Sequence, residues 1–116
     1  MSNVWMLAVS SDDVSPELGS PRPERILVGE PKHRTWNVED DGEGTYAGLW
    51  ESTPGEWRIE YDEWEFCHII SGEGTVTHDD GTTLRYGPGD AFVLRPGFRG
   101  TWRVDLTTRK HYVIRT

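Results

Sequence analysis

Tyr61, Glu63, Glu65 and Cys67 fall on alternate positions of one short stretch. Successive side chains of a strand point to opposite faces, so on an unbroken strand these four would share a face. Two inward carboxylates, Glu63 and Glu65, could hold Mg²⁺ or Mn²⁺ through oxygen, with water completing the shell. The run Asp62-Glu63-Trp64 also reads as a turn. A turn there would break the parity and leave Glu63 a solvated surface acid. Glu65 carries the most chemical interest, because a carboxylate in an apolar interior must gain a proton or a cation. Arg109-Lys110-His111-Tyr112, near the C-terminus, supplies candidates. On a strand Lys110 and Tyr112 face one way and His111 the other, and Tyr112 with Ile114 makes the more apolar face. Lys110 is therefore expected inside, paired with Glu65, although parity alone leaves open which of Lys110 and His111 meets the acid.

These residues sit in a chain of 116, enough for one domain with one core. Hydrophobic residues make up 34% and charged residues 28%, within the globular range rather than the disordered one. The net charge of −8 argues against nucleic-acid or anionic-membrane binding, both of which need a positive surface. No stretch approaches the roughly 20 apolar residues of a membrane span. Cys67 is the single cysteine, so it forms no internal disulfide and fits a reducing compartment. The start, MSNVWMLAVSSDD, has neither the basic segment nor the long apolar segment of a leader peptide. Together these features lead us to expect a cytoplasmic protein.

Residues 1–34 read as an irregular, proline-rich arm in which only ERILVG is a candidate strand. From residue 35 to 116 the pattern is one of short apolar or alternating runs. TWNVE, TYAGLWES, WRIEY, EFCHIIS, GTVTH, TTLRY, AFVLR, TWRVDL and RKHYVIR are separated by turn sequences such as DDGEG, SGEG and GPGD. Helical periodicity is absent, and strands at this spacing predict an all-β sandwich or barrel. Gly72 and Gly74 are expected to bracket a tight turn between two strands, and Gly87-Pro88-Gly89-Asp90 to turn the chain before AFVLR.

GLWESTPGEWRIEYDEWEFCHIISGEG, DDGTTLRYGPGDAFVLRPGFRGTWRV and RKHYVI resemble the small single-domain cupins. They are most similar to the subgroup related to ureidoglycine aminohydrolase and the ethanolamine-utilisation cupins, many of which have no assigned activity. The resemblance runs from about Trp36 to the C-terminus. It implies a jelly-roll barrel, the cupin-type double-stranded β-helix, and commonly a homodimer whose interface the N-terminal arm helps to build.

Cupins of this kind usually hold a metal on two histidines, a glutamate and a third histidine. Counting back from Gly72 puts the glutamate at Glu65 and the histidine positions between Arg58 and Tyr61. Counting forward from Gly55 puts the histidines at Tyr61 and Glu63. Neither register finds a histidine, and the third position is Gly100. The resemblance therefore implies a barrel that has lost its imidazole ligands. We expect no cofactor, with a hard ion such as Mn²⁺ or Mg²⁺ on Glu63 and Glu65 as the alternative. A Lys110–Glu65 pair would replace the metal's charge.

Trp102 shares parity with Gly100, where cupins aim the third histidine inward, so it is a candidate pocket wall beside Tyr61, Cys67, Tyr112 and His111. A buried thiol is more often inert filling than nucleophile. His68 is expected to face away, and His33 and His78 are given no role. Two functions follow. One is a metal-independent module that binds or senses a small polar metabolite. The other is an enzyme that hydrolyses or isomerises an amino or ureido compound, with Glu65 as general acid or base and Lys110 stabilising negative charge. A third reading keeps the barrel for protein contacts, with the acids of residues 51–65 as part of the surface.

Overall fold

The computed structural model describes residues 5–116, and the first four positions of the expected arm lie outside it. The strands are β1 (Glu17–Gly19), β2 (Ile26–Val28), β3 (His33–Asp40), β4 (Thr45–Ser52), β5 (Gly55–Glu60), β6 (Trp64–His78), β7 (Thr83–Tyr86), β8 (Ala91–Leu94) and β9 (Arg99–Arg115). A single 3₁₀ turn, Pro23–Arg25, precedes β2. No helix among the described residues is long and apolar enough to cross a membrane.

Two long strands organise the sheet. β6 and β9 pair antiparallel from Trp64↔Arg115 to His78↔Gly100. The other edge of β9 takes β4 along its C-terminal half and β5 along its N-terminal half. The other edge of β6 takes β8 and then β7. β3 adds to β4, β1 adds to β3, and β2 adds to β5. The sheet thus curls into the jelly roll expected from the strand pattern, with both long strands shared between its two halves.

The runs EFCHIIS and GTVTH form one strand, β6, and TWRVDL and RKHYVIR form another, β9. No tight turn lies at Gly72 and Gly74. The pairing instead slips between Ile69 and Gly74, a bulge that bends both strands without ending them. Gly72 sits there at φ +99°, and a Cβ on it would strike the Thr107 carbonyl and Thr108 Cα. Glycine is thus required by a close approach and a positive φ, not by a hairpin. The Gly87–Asp90 turn does form: Gly89 has φ +90°, and the Asp90 carboxylate accepts from the Gly87 N–H at 2.8 Å.

Inward positions of β5, β6, β8 and β9 supply the core: Trp57, Ile59, Cys67, Ile69, Val76, Leu94, Trp102 and Val104, with Tyr86 from β7. Trp102 Nε1 donates to the Tyr86 hydroxyl at 3.1 Å, which lies 2.9 Å from Thr108 Oγ1. These polar tips are thereby satisfied where water cannot reach them.

Candidate functional site

One end of the barrel encloses a cavity of about 550 Å³, walled by Trp50, Trp57, Trp102, Tyr46, Tyr61 and Tyr112, with Ile59 and Ile114. Direct cross-strand neighbours build the wall. Trp57 on β5 pairs with Trp102 on β9, and Trp50 on β4 pairs with Lys110 on β9. The period-two alternation that turns Glu51 and Arg109 outward thereby turns Trp50 and Lys110 in.

Lys110 and Glu65 form the polar part of the wall. Lys110 Nζ donates to Glu65 Oε2 at 2.8 Å, and both side chains are less than 5% exposed, at 4% and 3%. Nζ also lies 4.3 Å from the Trp102 ring centroid and 4.7 Å from that of Trp50. Burial opposes the ammonium, yet its proton is held above the ordinary lysine range. The acceptor that accounts for this is Glu65, because burial pushes the neighbouring Cys67 thiol up to about 12 and keeps it neutral. The two indole faces add cation–π attraction, which strengthens when water is excluded.

The other oxygen of Glu65 is also engaged. Tyr61 donates its hydroxyl to Oε1 at 2.6 Å, and burial, followed by the charge of Glu65, holds the phenol well above its usual range. Tyr112 is raised to about 12, chiefly by burial and then by Glu65, and donates to Asn37 Oδ1 at 2.5 Å.

His33 on β3 lines the same cavity. Its ring lies between Trp50 and Trp57, with centroids 5.0 and 4.9 Å away. Burial first, then the nearby Lys110 charge, lowers its pKa to about 4, so the imidazole is neutral at pH 7. Its Nε2 is buried and has no partner among the described residues.

Residues 39–112, more than half of the chain, match the EutQ-like cupin domain. The chain belongs to the EutQ-like cupin family. Among solved structures, this cupin is similar to a protein of unknown function from Pseudomonas syringae, at 24% identity and a TM-score of 0.79 over 87% of this chain and 43% of that one. It is similar to the Clostridium difficile EutQ protein at 17% identity and a TM-score of 0.66, covering 73% of this chain and 63% of EutQ. It therefore spans less than two thirds of either protein. A predicted oxalate decarboxylase from Thermotoga maritima shares 16% identity and a TM-score of 0.72, over 94% of this chain and 98% of that one. At these identities the likeness establishes the fold. No curated protein matches the chain in sequence.

Cupin barrels of this type commonly hold a metal, and the residues in this cavity do not fit one. Both oxygens of Glu65 are taken by Tyr61 and Lys110. An ion on Glu65 would face the Lys110 ammonium across the same carboxylate. Glu63 does not join Glu65: the chain bends at Asp62 and Glu63, and the Glu63 carboxylate accepts from the Asp62 N–H at 3.0 Å. The oxygen-rich pair expected from strand parity is thus broken by the bend, although Tyr61 still reaches Glu65 through its long side chain.

The other expected residues divide. Trp102, Tyr61, Tyr112, Glu65 and Lys110 meet in the cavity. Cys67 is fully buried 3.4 Å from Lys110 Nζ, behind the cavity wall. His111 does not reach the cavity. It lies on the opposite sheet face, where its Nδ1 is 3.2 Å from that of His68. The two rings are nearly parallel, at 6°, with centroids 5.5 Å apart. One ring therefore donates an N–H to the other nearly in plane. Sequence reading missed His33, Asn37, Trp50 and Trp57. The signal for β3 was present in the alternation of His33, Thr35 and Asn37 against Arg34 and Trp36.

Proposed function

We propose that this cupin binds a small, planar, polar metabolite inside the barrel without a metal. The observation that carries the reading is the buried Lys110 ammonium, fixed by Glu65 and two indole faces in an aromatic-walled cavity. Aromatic walls with a few fixed polar groups are the usual make-up of a small-molecule site. Both Glu65 oxygens already accept hydrogen bonds, which favours a binding role over acid–base work.

A second reading is hydrolysis or isomerisation of an amino or ureido compound. It is favoured by the Tyr61–Glu65 hydrogen bond, because Tyr61 lies on the cavity wall and could pass a proton between Glu65 and a bound molecule. Lys110 would then stabilise developing negative charge. Within the proposal the protein works as a homodimer in the cytoplasm. A dimer is supported by the apolar Trp5, Met6 and Leu7 that the arm exposes, and a reducing compartment by the lone thiol.

The test is thermal unfolding with a panel of small amides, ureido compounds and carboxylates, each with and without EDTA, alongside NMR monitoring of turnover. Stabilisation that ignores EDTA, with no new signals, supports binding. Turnover that vanishes in folded Glu65→Gln supports the enzyme. Stabilisation that EDTA abolishes would sink both metal-free readings.

A further inference from the structure

The charge balance of the cavity indicates which molecule it accepts, and the inference rests on the binding role proposed above. Glu65 and Lys110 cancel each other at 2.8 Å. Glu17, the remaining acid on the lining, is solvent-exposed on edge strand β1. The other ionisable groups with displaced pKa values, Tyr61, Tyr112 and His33, are all in their neutral forms at pH 7. A cationic ligand entering this interior would meet Lys110, and an anionic one would meet Glu65. An anionic ligand would also give up its hydration without a free counter-charge, and a cationic one would find only the exposed, water-screened Glu17, so either is costly.

Among the described residues, one buried side-chain polar atom is left without a partner, and it belongs to this lining. Among the described residues the His33 imidazole makes no hydrogen bond, while its neighbours do: Tyr61 bonds Glu65, Lys110 bonds Glu65 and Tyr112 bonds Asn37. Its Nε2 is buried among aromatic rings with no partner from those residues. A buried polar nitrogen left unpaired is uncommon and unfavourable. The flanking indoles hold the ring by packing, and no side chain among the described residues takes up its Nε2. From this arrangement we infer that the cavity selects an uncharged planar ligand, an amide or an amide-like heterocycle, and that His33 is the residue that hydrogen-bonds it.

In a neutral imidazole Nε2 is a donor or an acceptor according to the tautomer, and an amide group carries a partner for either. The indoles of Trp50 and Trp57 that grip His33 also offer faces against which a planar ligand can stack. The specificity determinant therefore comes from β3, the strand that carries His33, Thr35 and Asn37 into the lining.

Three probes of nearly one shape separate the charge classes: benzamide, benzoate and benzamidine. Binding of each is measured at pH 7.5 by calorimetry to the wild-type chain and to His33→Phe, which keeps the ring contacts and removes both nitrogens. Histidine ¹⁵N spectra of the wild type are followed in the same titrations. Benzamide is expected to bind most tightly, to move the His33 nitrogen resonances, and to weaken about tenfold in His33→Phe, the loss of one or two neutral hydrogen bonds. Tighter binding of benzoate or benzamidine, or benzamide binding that leaves His33 resonances unmoved, overturns this inference and leaves the pocket reading standing. No binding of any probe at millimolar concentration removes both. If His33→Phe does not fold, the wild-type resonances decide.

Discussion

Lys110 and Glu65 are 45 residues apart in sequence, and their side chains meet at 2.8 Å with almost no exposure. Buried ion pairs contribute little net stability when intact, because desolvation offsets the attraction, yet removing one partner strands a charge. Lys110→Met and Glu65→Gln are each expected to cost about 3–5 kcal/mol in urea unfolding. The double variant is expected to recover most of that loss, since neither charge then remains. A double variant whose loss equals the sum of the singles would show that the two residues do not act as a pair.

Stability should also depend on pH through His33. Its pKa is lowered to about 4 in the folded protein, by burial and then by Lys110, against an ordinary value of 6.5. Between those values the unfolded chain binds a proton that the folded chain refuses, so stability falls as pH drops from 6.5 towards 4. The full difference converts to about 3 kcal/mol. Partial exposure of the ring reduces the expected loss to roughly 1–2 kcal/mol. Comparing urea unfolding of the wild type and His33→Phe at pH 7 and pH 4.5 isolates it, because carboxylate effects are common to both. Equal pH dependence in the two proteins would contradict the assignment.

The sequence carried the fold further than the site. Strand alternation put Lys110 and Tyr112 on one face and His111 on the other, and β9 obeys that alternation. It failed at Glu63, because Asp62 and Glu63 form a bend and parity applies only to unbroken strand. It failed differently at Gly72, where a positive φ serves a bulge within β6 rather than a hairpin. A bulge and a turn ask for the same residue, so composition cannot separate them. Trp50 and Trp57 were unreadable as pocket residues because an aromatic looks the same in a core and in a wall. Only the pairings Trp50↔Lys110 and Trp57↔Trp102 place them.

Cys67 is fully buried, and burial raises its thiol to about 12 despite the nearby Lys110. Alkylation and disulfide exchange need the thiolate and access to it. Native protein at pH 7.5 is therefore expected to give no reaction with Ellman's reagent, and one equivalent per chain after unfolding in guanidinium. Rapid reaction of the native protein would place Cys67 on the cavity surface and make it a ligand contact after all.

The sequence resemblance implies Gly100 as the counterpart of a cupin's third metal-binding histidine, so the natural attempt to restore a metal site is Gly100→His. The structure predicts that this fails for a local reason. Gly100 pairs with Ile59 on one side and His78 on the other, and a Cβ there would collide with the Thr77 carbonyl on β6. The clash is with backbone of the central ladder, which cannot swing aside as a side chain would. Gly100→Ala alone should therefore destabilise the fold by at least about 2–3 kcal/mol, in the range of overpacked cores. Gly100→His should lose at least as much and still bind no zinc, because Lys110 continues to hold Glu65. Urea unfolding and metal analysis after dialysis against zinc check both statements. A stable Gly100→His protein that retains one zinc per chain would show that β6 can yield and that Glu65 can be released from Lys110.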